Sequence, residues 1–282
     1  MTAEHPALTE LADLGGRVAV VTGAARGFGA AIADRLAEAG ATVMIADVRL
    51  DEAAATAARI ADRTGAACGA QHLDVTDETS ISGAFADWHS TWGALDILVN
   101  NAGVFSNHLA HEMPVSELDR ILTINVRGAY LCTRAALGPM RAAGRGVIVN
   151  VASVDAMVTS AEGLTHYTTS KHAIAGMTRS IAVEAAPLGV RINAVCPGAA
   201  MTEGAVEFIA GGQETGIDVV AQWDGIVERT PLGRLCDVDD VARAVVFLAS
   251  DMAAFVTGVL LPVDGGILVQ PLEGYVPHTE DA

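Results

Sequence analysis

Tyr167 and Lys171 stand four positions apart in the run Tyr167-Thr-Thr-Ser-Lys171. On a helix that spacing puts both side chains on one face, so an ammonium would lie beside a phenol. A neighbouring positive charge favours the phenolate and lowers a pKa that is ordinarily about 10. Tyr167 could then trade a proton with an alcohol near neutral pH, as base in one direction and acid in the other. Ser153 closes an apolar run fourteen positions earlier, where its hydroxyl could hold an oxygen on which charge develops. Taken singly, a helical Tyr–Lys pair is usually a surface pair and a serine at a strand end usually caps a helix.

A second cluster lies near the N-terminus. The run VAVVTG leads directly into Gly23-Ala-Ala-Arg-Gly27-Phe-Gly29 and then into an Ala-rich helical stretch. Gly23 and Gly27 would let the backbone turn tightly and approach a pyrophosphate, and Gly29 would let the helix pack close to the strand. The phosphates would sit on the helix N-terminus, where free N–H groups and the dipole favour negative charge. Asp47 ends the next apolar run, at the distance where a carboxylate accepts hydrogen bonds from both adenosine ribose hydroxyls. A 2′-phosphate would be repelled there, so NAD is expected and NADP is less favoured. Arg26 and Arg49 weigh the other way, because a guanidinium binds such a phosphate.

These residues need strands and helices to position them. Strands are predicted at 17–22, 42–47, 67–73, 95–100, 146–152, 191–195 and 259–263, and helices at 28–39, 51–63, 78–89, 114–142, 168–186 and 238–248. Apolar strands alternating with helices predict a single α/β domain, a Rossmann-type doubly wound parallel sheet of about seven strands with helices on both faces. The domain is expected over 17–266, with a tail at 1–16 and another at 267–282. Residues 201–229 break the rhythm, with the glycines at 211, 212, 216 and 225 interrupting weak helical patterns. An insert at the carboxyl ends of the strands is a natural substrate lid.

Composition narrows the function classes. Seventeen basic residues against 34 acidic ones leave a formal charge of −17, which disfavours nucleic acid and anionic lipid as partners. The four cysteines, Cys68, Cys132, Cys196 and Cys236, form no CxxC pair and read as reduced thiols. The first residues lack the charge and apolar run of a secretory signal, no apolar stretch is long enough to span a bilayer, and a cytoplasmic location is expected. His108 and His111 gather no further ligands, so no metal is expected.

TGAARGFG, Asp74-Val75, Asn100-Asn-Ala-Gly103, Asn125, Ser153, Tyr167-Thr-Thr-Ser-Lys171 and Pro197-Gly198 follow one another in the order of the short-chain dehydrogenase/reductase (SDR) family. The resemblance covers nearly all of 17–266. It implies hydride transfer between a nicotinamide cofactor and an alcohol or ketone, with Asn125, Ser153, Tyr167 and Lys171 as the catalytic tetrad. It also implies that Lys171 holds the nicotinamide ribose and that Asn125 positions a water linking Lys171 to solvent. By the same resemblance Phe28 joins the glycine turn in the cofactor site. Asp74 and Val75 would meet the adenine, and Asn100, Ala102 and Gly103 the adenosine ribose and sheet. Pro197, Gly198, Ala200 and Thr202 would lie against the carboxamide and pyrophosphate. A homotetramer is a further family expectation. The spacing from Ser153 to Tyr167 is one residue longer than the family's usual one, so the extra residue should bulge within 155–166, beside the substrate.

The expected function is therefore NAD-dependent interconversion of a secondary alcohol and its ketone, a 3-oxoacyl-type reductase or a non-catalytic NAD-binding protein being the alternatives. Phe105, Asp155, Met157, Leu164, His166 and Met201 are expected to shape the pocket for a mid-sized, partly apolar cyclic or aryl-substituted alcohol. The tail after Gly266 is expected to reach a neighbouring subunit.

Overall fold

Seven short runs, most of them apolar, become the seven strands of one parallel sheet. The computed structural model describes residues 5–93, 95–212 and 225–269. The strands are β1 (Val18–Thr22), β2 (Thr42–Asp47), β3 (Cys68–His72), β4 (Ile97–Asn100), β5 (Gly146–Val151), β6 (Val190–Pro197) and β7 (Leu260–Val263), ordered β3-β2-β1-β4-β5-β6-β7. Their side chains alternate between two covered faces. Ala19 and Val21 of β1 enter one core layer, and Val20 between them enters the other.

After the exposed turn α1 (Leu8–Ala12), the helices are α2 (Gly27–Glu38), α3 (Leu50–Thr64), α4 (Glu78–Trp92), α5 (Val115–Leu122), α6 (Ala129–Ala143), α7 (Thr165–Ala185), α8 (Glu203–Gly212) and α9 (Val238–Ala249). Ile32 and Leu36 of α2 pack with Val241, Val245 and Leu248 of α9 on one face of the sheet. Trp88, Leu131, Met140 and Ile192 belong to the layer on the other. The chain crosses from one half of the sheet to the other between β3 and β4, so β1 and β4 become neighbours and a crevice opens beyond their carboxyl ends. Gly23, the Asn100–Gly103 stretch and Ser153 all follow strands that end there.

Two expectations change. The single helix expected over 114–142 is instead α5, a wider π-helical segment at Thr123–Gly128, and α6. The expected N-terminal tail contains α1 and anchors itself through Leu14, whose N–H donates to the Ala39 carbonyl at 2.7 Å. Of the expected lid, residues 213–224 lie outside the described residues, as do 270–282 of the C-terminal tail. Among the described residues, no helix is long and apolar enough to cross a membrane.

Candidate active site

β5 delivers Ser153 and α7 delivers Tyr167 and Lys171 to one wall of a cleft of about 1190 Å³. Tyr167 lies in the first turn of α7 and Lys171 one turn further on. Lys171 is the only lysine in the chain. It is buried, its Nζ donates to the Val151 carbonyl at 2.9 Å and stands 5.4 Å from the Tyr167 ring centre. Phe105 approaches from the segment after β4, its ring centre 5.7 Å from that of Tyr167.

The π-helical segment explains where Asn125 sits. Its Oδ1 accepts from the Val104 N–H at 2.8 Å, while its Nδ2 donates to the Val104 carbonyl at 2.8 Å and to Ser170 Oγ at 3.1 Å. The widened turn thus ties the segment after β4 to the helix carrying Tyr167. Insertions of this type within α-helices are frequent at functional sites. Asn125 is buried behind the cleft wall.

Electrostatics differ from the sequence expectation. Loss of water and the nearby carboxylate of Asp155 push the Tyr167 phenol above its ordinary value, against a lowering by the Ser153 hydroxyl. Desolvation is the largest cause for the phenol, and the same loss of water works against the charged form of the Lys171 amine. Burial brings Lys171 down to about 8, with Cys196 and Asp155 acting in the opposite direction.

The other end of the cleft is built by the glycine turn. Gly23 adopts φ +62°, and a Cβ on it would lie 2.7 Å from Ala102 Cα. At Gly29 a Cβ would meet the Gly23 carbonyl oxygen at 2.5 Å and Asn101 Nδ2 at 2.6 Å. Gly29 therefore packs helix against turn, behind the wall. Asp47, Val48 and Arg49 line the cleft from the end of β2, with Asp74 and Val75 beside them. The Asp47 carboxylate is buried and accepts from the Ala25 and Arg49 N–H groups, both at 3.0 Å. Arg26 is already engaged: its guanidinium forks onto Glu207 of α8, the second contact being 2.6 Å.

Among the sequence-derived positions, Gly23, Arg26, Gly27, Phe28, Asp47, Asp74, Val75, Ala102, Gly103, Phe105, Ser153, Tyr167, Lys171, Pro197, Gly198 and Thr202 share this cleft. Asn100 and Ala200 stand behind the wall, both buried. Asn100 is committed to Thr133 and Asn150, its Nδ2 donating to each at 2.9 Å.

Five expected pocket residues do not reach the wall. Asp155 turns inward, its oxygens accepting from Ser153, Ser160 and Thr168. Met157 packs with Ile174, Ala194 and Leu260. Leu164 caps the start of α7, its carbonyl accepting from the Thr168 N–H at 2.8 Å. His166 is fully buried, with Nε2 2.7 Å from Ser106 Oγ, and Met201 faces solvent. Between Ser153 and Tyr167 the chain runs through a loop at 157–164, which Ser160 ties to Asp155.

Several wall residues lack any conspicuous sequence signal. Ser106 donates to Glu117, which also accepts from Arg120 at 2.7 and 2.8 Å, so α5 and the segment after β4 meet in a polar cluster. These two partners hold the Glu117 carboxyl at about 2, Arg120 contributing most. Asn101 carries no signal of its own within the Asn100–Gly103 motif. Its Nδ2 donates to the Thr22 and Gly23 carbonyls at 3.0 and 2.8 Å, locking the glycine turn to β4.

A family model described as enoyl-(acyl carrier protein) reductase matches residues 23–268. Cis-4-hydroxycyclohexanecarboxylate dehydrogenase of Sinomonas cyclohexanicum is 43% identical over 251 residues, covering 89% of this chain and 96% of that protein. The 4-formylbenzenesulfonate dehydrogenase TsaC1/TsaC2 of Comamonas testosteroni is 42% identical, covering 90% and 98%. Among solved structures, a gluconate 5-dehydrogenase from Burkholderia cenocepacia J2315 in complex with NADP and tartrate superposes with a TM-score of 0.86 at 32% identity, covering 93% of this chain and 99% of that one.

Proposed function

The chain belongs to the short-chain dehydrogenase/reductase family, whose members among its relatives act on CH–OH groups, and we propose that it interconverts a secondary alcohol and its ketone with NAD, Tyr167 serving as acid and base. The observation that carries this reading is the convergence of Ser153, Tyr167 and Lys171 on the cleft that begins at the Gly23 turn. The residues fit a dinucleotide: the glycine turn, pressed so closely on Ala102 that Gly23 has no room for a Cβ, lines one end of the cleft, and Asp47 presents a carboxylate on the wall beyond it. When bound, the nicotinamide supplies the site that takes or gives the hydride.

The chain supplies the rest. In oxidation Tyr167 Oη takes the hydroxyl proton of the alcohol, and in reduction it returns that proton to the ketone oxygen. Ser153 holds the same oxygen. Lys171 carries charge beside the phenol, and Asn125 fixes the backbone of Val104 against α7. Tyr167→Phe should lower kcat by about a hundred- to ten-thousandfold while NAD affinity stays within about threefold. Retention of kcat in that variant would overturn the assignment.

NAD is preferred over NADP in this reading because Asp47 is negative and Glu207 occupies Arg26. The NADP in the Burkholderia structure makes a direct comparison of the two cofactors the deciding assay. The substrate is a mid-sized, partly apolar cyclic or aryl-substituted alcohol. Val104, Phe105 and Ile124 give the wall apolar surface, and the ring substrates named for the Sinomonas and Comamonas relatives support the class. A substrate screen in which only small polyols or acyl thioesters turned over would refute it. A cytoplasmic homotetramer completes the reading. The assembly draws on the exposed Tyr130 and Val183 of α6 and α7, with light scattering as the test.

A further inference from the structure

Asp155 is a buried acid beside the reacting groups that the chemistry above does not use. It is 3% exposed. Its Oδ1 accepts from Ser160 N at 3.2 Å, Ser160 Oγ at 2.9 Å and Thr168 Oγ1 at 3.0 Å. Its Oδ2 accepts from Ser160 Oγ at 2.8 Å and Ser153 Oγ at 3.1 Å. Its own N–H returns a bond to Ser153 Oγ at 3.1 Å. No arginine or lysine among the described residues lies within ion-pairing distance of it, so hydroxyls and one N–H carry the whole charge. A buried carboxylate answered only by neutral donors is an expensive way to tie a loop, and an amide would serve that purpose alone.

We propose that Asp155 is a positioning residue of the alcohol–ketone reaction, fixing the Ser153 hydroxyl and, through its buried charge, the pH at which oxidation begins. The inference rests on the assignment of Tyr167 as acid and base. Asp155 joins three pieces of the site: Ser153 just after β5, the loop at 157–164 through Ser160, and Thr168, the neighbour of Tyr167 on α7. Asp155 engages Ser153 in both senses, taking its one hydroxyl proton on Oδ2 and donating its own N–H to Oγ, so the hydroxyl is held in place with its proton turned to Asp155 until a substrate oxygen competes for it. The same carboxylate is hydrogen-bonded to Ser153 and to Thr168, the residue after Tyr167, and from there it opposes negative charge on the phenol and favours positive charge on Lys171. An alcohol oxidation that begins by ionising Tyr167 therefore requires higher pH than it would without Asp155.

Other charges around Tyr167 do not duplicate this one. α7 itself offers Lys171 and His166, the latter turned to Ser106. Cys196 approaches from β6. On α5, Glu117 and Arg120 neutralise each other, and in the π-helical segment Arg127 pairs with Glu78.

Asp155→Asn removes the charge and keeps the shape. Two readouts follow it: the acidic limb of kcat for alcohol oxidation, and the titration of ring-labelled tyrosine by NMR. The chain holds only three tyrosines, and the signal missing in Tyr167→Phe identifies the relevant one. Both the limb and the Tyr167 titration should move to lower pH by about one unit, the low end of what a neighbouring charge does. Ser160→Ala, which loosens the loop and leaves the charge, should leave the limb in place. If Asp155→Asn does not fold, the tyrosine titration is made in Asp155→Ser, with the same expected direction. An unmoved Tyr167 titration, with Tyr167→Phe inactive, would reduce Asp155 to a structural tie. Full activity in Tyr167→Phe would instead overturn the assignment of Tyr167 itself.

Discussion

Replacing Asp47 with asparagine should convert a cofactor preference into near indifference, and its size can be worked from the site. The carboxylate is buried at the end of β2 and held by two backbone N–H groups at 3.0 Å, so it cannot swing away from a 2′-phosphate. One unit charge at roughly 6–8 Å, with an effective dielectric constant of about 20, is opposed by about 2–3 kcal/mol. Relief of that repulsion should raise kcat/KM with NADP by about thirty- to a hundredfold. NAD loses the charged acceptor for its ribose hydroxyls, and one such bond is worth about 1.5–3 kcal/mol, of which an amide keeps part. A loss of about tenfold for NAD is the moderate expectation, so the ratio of the two should shift by about 300- to 1000-fold. Glu207→Gln, which releases Arg26 from its fork, should add a further gain for NADP. Initial rates with each cofactor at a fixed alcohol concentration read the ratio, and thermal shifts with each cofactor read binding alone. A ratio that moves by less than about threefold, no more than the usual error of such free-energy comparisons, would refute the electrostatic argument.

Lys171→Met tests the burial of the chain's only lysine. The folded amine titrates at about 8 against an ordinary 10.5, so between those values the unfolded chain binds more protons and wild-type stability rises with pH. The rise attributable to Lys171 should reach about 3 kcal/mol and be absent from the wild-type-minus-variant difference below pH about 8, as followed by urea midpoints at several pH values. A flat difference from neutrality to high pH would show that burial does not depress the amine. Gly29→Ala places a methyl 2.5 Å from the Gly23 carbonyl oxygen and should lower stability by about 1–3 kcal/mol. It should also weaken NAD binding by moving the turn, whereas unchanged calorimetric affinity would mean that the turn does not hold the cofactor.

The sheet was legible because its inner strands are buried on both faces and read as apolar runs, as in Val18–Thr22 and Gly146–Val151, whereas the edge strands Cys68–His72 and Leu260–Val263 are only partly buried. The Gly23 turn, Asp47 and the Tyr167–Lys171 pair were legible for a related reason: their spacing and their place at strand ends are local properties. What escaped depends on tertiary contacts. Residues 114–142 look like one amphipathic helix, and only the bonds from Asn125 to Val104 and Ser170 require a wider turn in the middle. Asp155 and His166 neighbour Ser153 and Tyr167 in sequence, which by itself points them to the substrate pocket. Loop sequence carries no period to say which side faces the cleft, and both side chains turn to partners inside the protein. Arg26 could not be recognised as neutralised, since Glu207 lies 181 positions away.

The tyrosine and lysine show how far burial can alter a motif's chemistry. In water a phenol and an ammonium release protons at nearly the same pH, about 10 and 10.4. Here the phenol is driven up and the amine down to about 8, so Lys171 loses its proton before Tyr167 does. The simple picture of a lysine standing as permanent counter-charge to a phenolate does not describe the chain by itself. Above pH about 8 the neighbour of the phenol is a neutral amine, able to accept a proton and anchored by the Val151 carbonyl. Asp155 acts on the pair in one sense only, raising both groups, whereas burial drives them apart. Charge removal at Asp155 and loss of burial should therefore leave different signatures: the first lowers both titrations together, and the second brings them back towards each other.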